Sequence, residues 1–565
     1  MQNRFAVLGV SSKRFTGLVL AVSTFFLAQA AFAQVCTFRP GPDVIVGDLY
    51  GLSNYSSQGG LEALSMGTES CNLGDQELAW FANNNQHPVI AQNLYRYQDK
   101  GGWFAFEQVG MSWLKHGFTA LDLSLCCLNC TDTTGNFLGI GCSDPYSGGL
   151  NGSQSSLGPR WQVNPLTGDY PYPPANPTWS GSTARRLQVE IADLEPTAST
   201  TTRYFGEGHY IAPDDATAGN QNNNASYREL SVSGSGTSWS FAFTGSTARE
   251  TSAIYAWRAL DPSVEIVERQ FAGEGRVALA WQVTDLKDGT WHYEYALYNM
   301  NSADGVGGFS VPIPAGVSIT NIDFHDVVYR DGDGENGVDR SPSDWTQALA
   351  AGALSWSTED YSSNANANAI RWGTTYNFRF DASTPPQALD VTLTRFQSAT
   401  EEVLLAQGPS PLGPAGQSFC DASDGSLASC PCANTGDPDA GCDNAQSTGG
   451  VRLGVTAFQP DGLGSGTAVF GATGFSALGT PSYVLVRSVH QTPGVAAFDG
   501  VLCLGNPVVR ISAGFAVGGE ASEAYVHGAM ATPGAHGYQL WYRSQPAPFC
   551  TRHAANLSNG YELTW

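Results

Sequence analysis

Twelve cysteines place the strongest constraint on this chain, because they form two groups of six with none between residues 143 and 419. Cys36, Cys71, Cys126, Cys127, Cys130 and Cys142 lie in the first third, and Cys420, Cys430, Cys432, Cys442, Cys503 and Cys550 in the last. An even number in each group permits closed pairing within it, with about 15 connectivities apiece that sequence does not rank. Cys127 and Cys130 form a C-x-x-C, a spacing that also suits zinc or redox chemistry. Structural pairing is favoured once the chain leaves the cytoplasm, where thiols oxidise. Cys126 and Cys127, being neighbours, are then expected to bridge to different partners.

The first 33 residues supply the export route. Arg4, Lys13 and Arg14 precede an apolar run from Phe15 to Ala28, and Ala31, Phe32 and Ala33 form a small-x-small cleavage site before Gln34. The run falls short of the roughly 20 apolar residues a membrane helix needs, and no later stretch approaches that length. The mature chain is therefore expected to begin near Gln34, to lack a transmembrane segment, and to be secreted or held at the cell surface, with the periplasm as a further location. Losing the three basic residues of this leader takes the formal charge from −24 to −27. Such an anion repels nucleic acid unless it carries a concentrated basic patch, and none is visible.

Three modules follow in the reading of the chain. Residues 34–228 are rich in Gly, Asn, Ser and Pro and read as a loop-rich module pinned by disulfides, with a short helix expected near Met111–His116. Residues 229–407 read as a β-sandwich-like module. Val277–Val283 and Trp291–Met300 alternate about an Asp288-Gly289 turn, the pattern of a hairpin. In the second arm Trp291, Tyr293, Tyr295 and Leu297 share one face, and His292, Glu294, Ala296 and Tyr298 the other. Further strands are expected at Phe309–Ile313, Val317–Phe324, Tyr376–Phe380 and Val391–Phe396. Gly408–Gly416 holds three prolines and three glycines and reads as a linker. Residues 417–565 read as a Cys-rich β module closed by the alternating Tyr561–Trp565. The fold class expected is mainly β throughout.

Three segments resemble parts of large secreted multi-domain proteins of planctomycete and myxobacterial type: WHYEYALYNMNS from Trp291, RWGTTYNFRFDASTPP ending at Pro386, and the tail from Trp541 to Trp565. The resemblance covers the two C-terminal modules. It implies export and β architecture and brings no known activity with it.

Nucleophile elbows, zinc-binding H-E-x-x-H helices and phosphate-cradling G-x-x-x-x-G-K-[ST] loops are absent, and no G-x-G-x-x-G opens a helix. Paired carboxylates leave no spacing to find, so glycosidase chemistry stays open. Asp331, Asp333, Glu335 and Asp339 in DGDGENGVD alternate on a glycine-flexed loop and are the candidate ligands for calcium, although the spacing is not that of an EF-hand. The competing reading is a solvated acidic turn. His87, His116 and His209 are the candidates for a copper or zinc site or for acid–base chemistry, against ordinary hydrogen-bonding roles. Among 14 tryptophans, Trp103, Trp161, Trp179 and Trp345 sit in polar or turn-rich surroundings and are candidates to stack on sugar rings. Trp281, Trp291 and Trp372 are expected to fill interiors. Export, acidity, disulfides and β modules together favour binding of an extracellular polysaccharide or matrix component. A secreted metal- or carboxylate-dependent enzyme acting on extracellular polysaccharide is the alternative.

Overall fold

A computed structural model describes residues 35–117, 119–195, 201–410, 416–423, 429–460, 466–528, 534–543, 551 and 554–565. The expected leader, and residues 411–415 of the expected linker, lie outside them. Strands dominate the described residues and helices are few and short, so the chain is mainly β. No described helix is long and apolar enough to cross a membrane.

The first body is an antiparallel sheet of eleven strands, more regular than its composition suggests. Its main path runs Val44–Gln58, Leu61–Asn72, Leu187–Glu190, Phe104–Met111, Val89–Asp99, Thr202–Ile211, Ala225–Ser235 and Ser238–Phe243. The last two strands carry this sheet past residue 228, where the sequence suggested a boundary. The short helix expected near Met111–His116 is instead the end of one strand and the start of another, Leu114–His116. Met111 pairs with both Gln188 and Asn93, and His116 pairs with Val89. A helix there would leave the flanking strands' backbone groups without those partners.

Long loops between residues 117 and 186 cover this sheet. Disulfides Cys36–Cys127, Cys71–Cys126 and Cys130–Cys142 pin them, so the adjacent cysteines do go to different partners. The cystines Cys71–Cys126 and Cys36–Cys127 pack with Ile45, Phe38 and Leu73 into a small apolar cluster that stands in for secondary structure.

Residues 265–409 form a sandwich of two five-stranded sheets. One contains Glu265–Gln270, Arg276–Asp285, Trp291–Asn299, Thr374–Ala382 and Ile319–His325. The other contains Thr346–Ala350, Ala353–Ser357, Val306–Pro312, Pro386–Arg395 and Glu401–Pro409, so the final strand runs into the expected linker. The hairpin forms as the alternation predicts, pairing Val283 with Tyr293 and Leu279 with Leu297. Gly289 adopts φ 94° at its turn, a conformation that costs glycine little. Tyr293, Tyr295 and Leu297 face the sandwich core with Phe309, Trp356 and Phe378.

The opposite face of that strand is buried too. Ala278, Ala280, Ala296 and Tyr298 pack on Tyr95, Phe106 and Phe205 of the first body and on Trp257 of the connecting helix Ile254–Leu260. Small alanines let the large rings approach closely, so one sheet serves two cores. Beside this apolar contact, Arg379 Nε donates to Glu294 Oε2 at 2.7 Å and its Nη2 to Glu107 Oε1 at 2.8 Å. Arg96 Nη2 and Lys100 Nζ reach the other Glu107 oxygen at 2.8 and 3.1 Å. Burial alone would push the Glu107 carboxyl up, but His325, Arg379, Lys100 and Arg96 around it hold it well below its usual range.

The terminal body joins a six-stranded sheet to a three-stranded one over a core that includes Phe470, Tyr483, Tyr538 and Trp565. Gly560–Thr564 is its closing strand, paired with Gln417–Phe419 and Ala535–Arg543. Cys420–Cys503 and Cys430–Cys442 staple it, and Cys432 is also disulfide-bonded. Cys550 lies outside the described residues.

Replacing Arg379 by Met strips the buried Glu294 of its guanidinium partner and is expected to lower stability by about 3–5 kcal/mol in urea unfolding. Adding Glu294→Gln to that variant should restore part of the loss. Equal stability of all three proteins would show that the ionic contact does not hold the bodies together.

Candidate functional site

Three of the sequence candidates, Trp161, Asp333 and Glu335, line a cleft of about 290 Å³ where the first body meets the sandwich. Its walls include Trp161, Tyr329, Asp333, Arg340, Arg371 and Trp372. Arg160 fixes the turn that carries Trp161. It is only 3% exposed, and its guanidinium donates to Ser112 O at 2.6 Å, Gln92 O at 3.0 Å, Asn93 Oδ1 at 2.9 Å and Gly373 O at 3.3 Å. One side chain thus ties a loop of the first body to its own sheet and to the sandwich turn at Gly373.

The acidic loop supplies the facing wall. Asp331, Gly332, Asn336 and Gly337 all have positive φ, which folds the loop tightly. Asp331 Oδ2 accepts from the Arg185 backbone N at 2.7 Å and Gln188 Nε2 at 3.0 Å. Asp333 Oδ1 accepts from the backbone N of Arg160 at 2.7 Å and of Trp161 at 3.3 Å. Asp339 Oδ1 accepts from Gly332 N at 2.6 Å, and the Glu335 backbone N donates to Asn366 Oδ1 at 2.7 Å. No three of these four carboxylates come together as a cation would require, because Asp331, Asp333 and Asp339 are spent on backbone N–H groups. The loop clamps the two bodies where the sequence suggested calcium ligands. Asp333 keeps its Oδ2 buried and without a partner, and burial pushes its carboxyl up to about 6 against the pull of Arg340 and Arg160.

Arg340 and Arg371 are missed by sequence reasoning. They are 6% and 8% exposed, and the Nε of each is buried without an acceptor. Arg371 Nη2 donates to Ala365 O at 2.8 Å, whereas Arg340 Nη1 makes only long contacts of 3.5 Å to Ala365 O and 3.4 Å to Asn366 Oδ1. Burial, then the neighbouring Arg340, bring Arg371 down to about 10. Trp161 Nε1 is likewise buried without a partner.

The other tryptophan candidates take different places. Trp103 stacks on His292 with centroids 3.7 Å apart and lies under Arg379, covering the buried ionic contact. Trp179 lies 5.6 Å from the Arg185 guanidinium. Trp345 is 2% exposed in the sandwich core between Phe324 and Phe378, which leaves no ring face for a ligand.

The histidines divide. His87 Nε2 and His116 Nδ1 lie 2.9 Å apart, walled by Tyr170 and Tyr172. Because His87 Nδ1 lies 2.7 Å from the Phe81 carbonyl it must donate there, so its Nε2 accepts from His116 Nδ1 when both rings are neutral. Burial brings His87 down to about 4, and burial with His87 and Lys115 nearby brings His116 down to about 3. His209 does not join them. It pairs with Ala91 while His116 pairs with Val89, which places the two on opposite sides of one strand, roughly 10 Å apart across two strand spacings. Both His209 nitrogens are buried without partners, and its ring meets Trp372 edge-on at 6.0 Å. The three-histidine set expected for copper or zinc is therefore split.

A second concavity, of about 430 Å³, lies on the terminal body. Phe498 and Trp541 stack there at 4.9 Å and 12°, with Trp541 42% exposed and Phe515 on the rim.

No family model matches the chain, and no curated protein sequence does. Among solved structures, dimeric latent PorU from Porphyromonas gingivalis aligns over 93% of this chain and 34% of its own at 8% identity and a TM-score of 0.13. The chain thus spans about a third of that structure, and so low a score carries no argument.

The histidine pair predicts a pH dependence. Between about 6.5 and 3 the unfolded chain binds a proton at position 116 that the folded chain refuses, so this group's contribution to stability is lost as pH falls. Asp333, raised from 3.8 to about 6, acts in the opposite sense, favouring the folded state as pH falls. Comparison with a variant isolates the histidine: His116→Leu should flatten the stability–pH slope over pH 6 to 4 by about 1.4 kcal/mol per unit, one proton's worth. Parallel slopes in urea unfolding would contradict the buried neutral pair.

Proposed function

We propose that this chain is exported and binds an extracellular polysaccharide or matrix polymer in the cleft between the first body and the sandwich. The observation that carries this reading is the indole of Trp161, whose Nε1 lacks a partner, set beside polar side chains in a cleft close to the smallest size that holds small ligands. An aromatic face covers the apolar side of a sugar ring while neighbouring polar groups bond its hydroxyls. Disulfide bonds in both terminal regions suit a chain that matures where thiols oxidise. The exposed Trp541 groove gives the terminal body a second aromatic surface for attachment to the same kind of polymer.

A second reading rests on Asp333. A buried carboxyl held near 6, in a cleft that Glu335 also lines, is the pairing that glycoside hydrolysis uses when one acid must stay protonated. In that case the cleft cleaves the polymer it binds.

Retention on a panel of immobilised extracellular polysaccharides separates the readings. The wild-type protein should be retained on at least one of them, and Trp161→Ala should weaken that retention about tenfold or more, the loss expected for one stacking ring. Unchanged retention would remove Trp161 from the site. Oligosaccharide release that Asp333→Asn abolishes would establish the hydrolytic reading instead.

A further inference from the structure

The cleft is cationic in a chain that is strongly anionic. Three buried arginines elsewhere are neutralised, Arg96 and Arg379 by Glu107 and Arg395 by Glu402, while Arg185, 1% exposed, forms no ion pair among the described residues and lies 4.4 Å from the Trp113 ring. Arg160, Arg340 and Arg371 are as deeply buried, yet among the described residues none forms an ion pair. Main-chain carbonyls satisfy some of their N–H groups without neutralising their charge. Only Asp333 and Glu335 offset them on the lining, and one Asp333 oxygen is already engaged by two backbone N–H groups. Two guanidinium Nε atoms therefore remain buried, without acceptors, on the walls of one cleft.

We propose that this cleft recognises the acidic group of a charged sugar, a uronate carboxylate or a sulfate ester, through Arg340 and Arg371. The inference rests on the reading of the cleft as a saccharide site and adds its specificity. A guanidinium presents its donors in a planar fork that matches a carboxylate or sulfate oxygen pair. Trp161 covers the ring that bears the acid. The net charge of −24 on the whole chain repels a uniformly charged polyanion, so the ligand is an isolated acidic unit flanked by neutral sugars.

The test uses the mature full-length protein and isothermal titration with three probes. These are a neutral-backbone oligosaccharide carrying one uronic acid, the same oligosaccharide with its carboxyl reduced to an alcohol, and its counterpart carrying one sulfate ester. An acidic probe should bind about ten- to a hundredfold more tightly than the reduced one, the range for hydrogen bonds to a charged group. Arg340→Gln and Arg371→Gln should each erase that advantage, bringing the acidic probe's affinity to that of the reduced one. Preference between the carboxylate and the sulfate identifies the acid. Should either variant fail to fold, the comparison of probes on the wild-type protein still decides. Equal affinity for acidic and reduced probes overturns the proposal while leaving the saccharide site standing. Failure of every probe to bind overturns both.

Discussion

The guanidinium of Arg379, closed between Glu107 and Glu294, fixes how the first sheet sits on the sandwich. Apolar packing between Tyr298 and Phe106 favours contact but tolerates sliding, whereas a buried ion pair does not. A slip of one residue would part Arg379 from Glu107 and leave that cross-body pair unmade away from water. The register so fixed is extended by neutral bonds. Gln108 Oε1 accepts from Thr375 N at 2.7 Å, Asn377 Nδ2 donates to Phe106 O at 3.0 Å, and Asn93 Nδ2 donates to Gly373 O at 3.1 Å. These contacts carry the arrangement along to the turn at Gly373, beneath Arg160. The cleft is thus downstream of an ionic contact that does not line it.

The loops that wall the cleft are held by the same economy. Asp331 and Asp333 look like ligands in the sequence because they are acidic, alternate and flexed by glycine. In the structure each caps backbone N–H groups on the other body, work a carboxylate does as well as it binds a metal. The loop's positive-φ residues let it fold tightly, with Asp333 and Gly334 buried and Asn336, Val338 and Asp339 exposed. What was exposed acid in the one-dimensional reading becomes mortar between two bodies.

The sandwich was readable because its strands obey simple rules. The Asp288-Gly289 turn and the alternation about it locate the 276–299 hairpin, and the even cysteine groups anticipate that Cys126 and Cys127 diverge. The eleven-stranded sheet was not readable, since its central strands are buried on both faces and admit polar side chains. Gln92, Asn93, Glu107 and Glu207 all lie inside it, each bonded, and their presence erases the period-two signal. For the cleft, Trp161 stood out by its polar surroundings. Arg340 and Arg371 did not, because the segments that meet there are far apart in the chain: Arg160 and Gly373 touch across 213 residues. The one available clue was scarcity, with only 27 lysines and arginines against 51 acids, each cation therefore worth tracing.

The strand Trp291–Asn299 has company on both sides, and this limits how such a chain can evolve. A sandwich with one greasy face and one wet face can be copied, moved and spliced beside strangers. This one cannot be lifted out without baring Ala278, Ala280 and Tyr298 to water, nor can its neighbour survive with Phe106 and Phe205 uncovered. The heritable piece is the pair, and insertions that diversify it are confined to the loops around its rim.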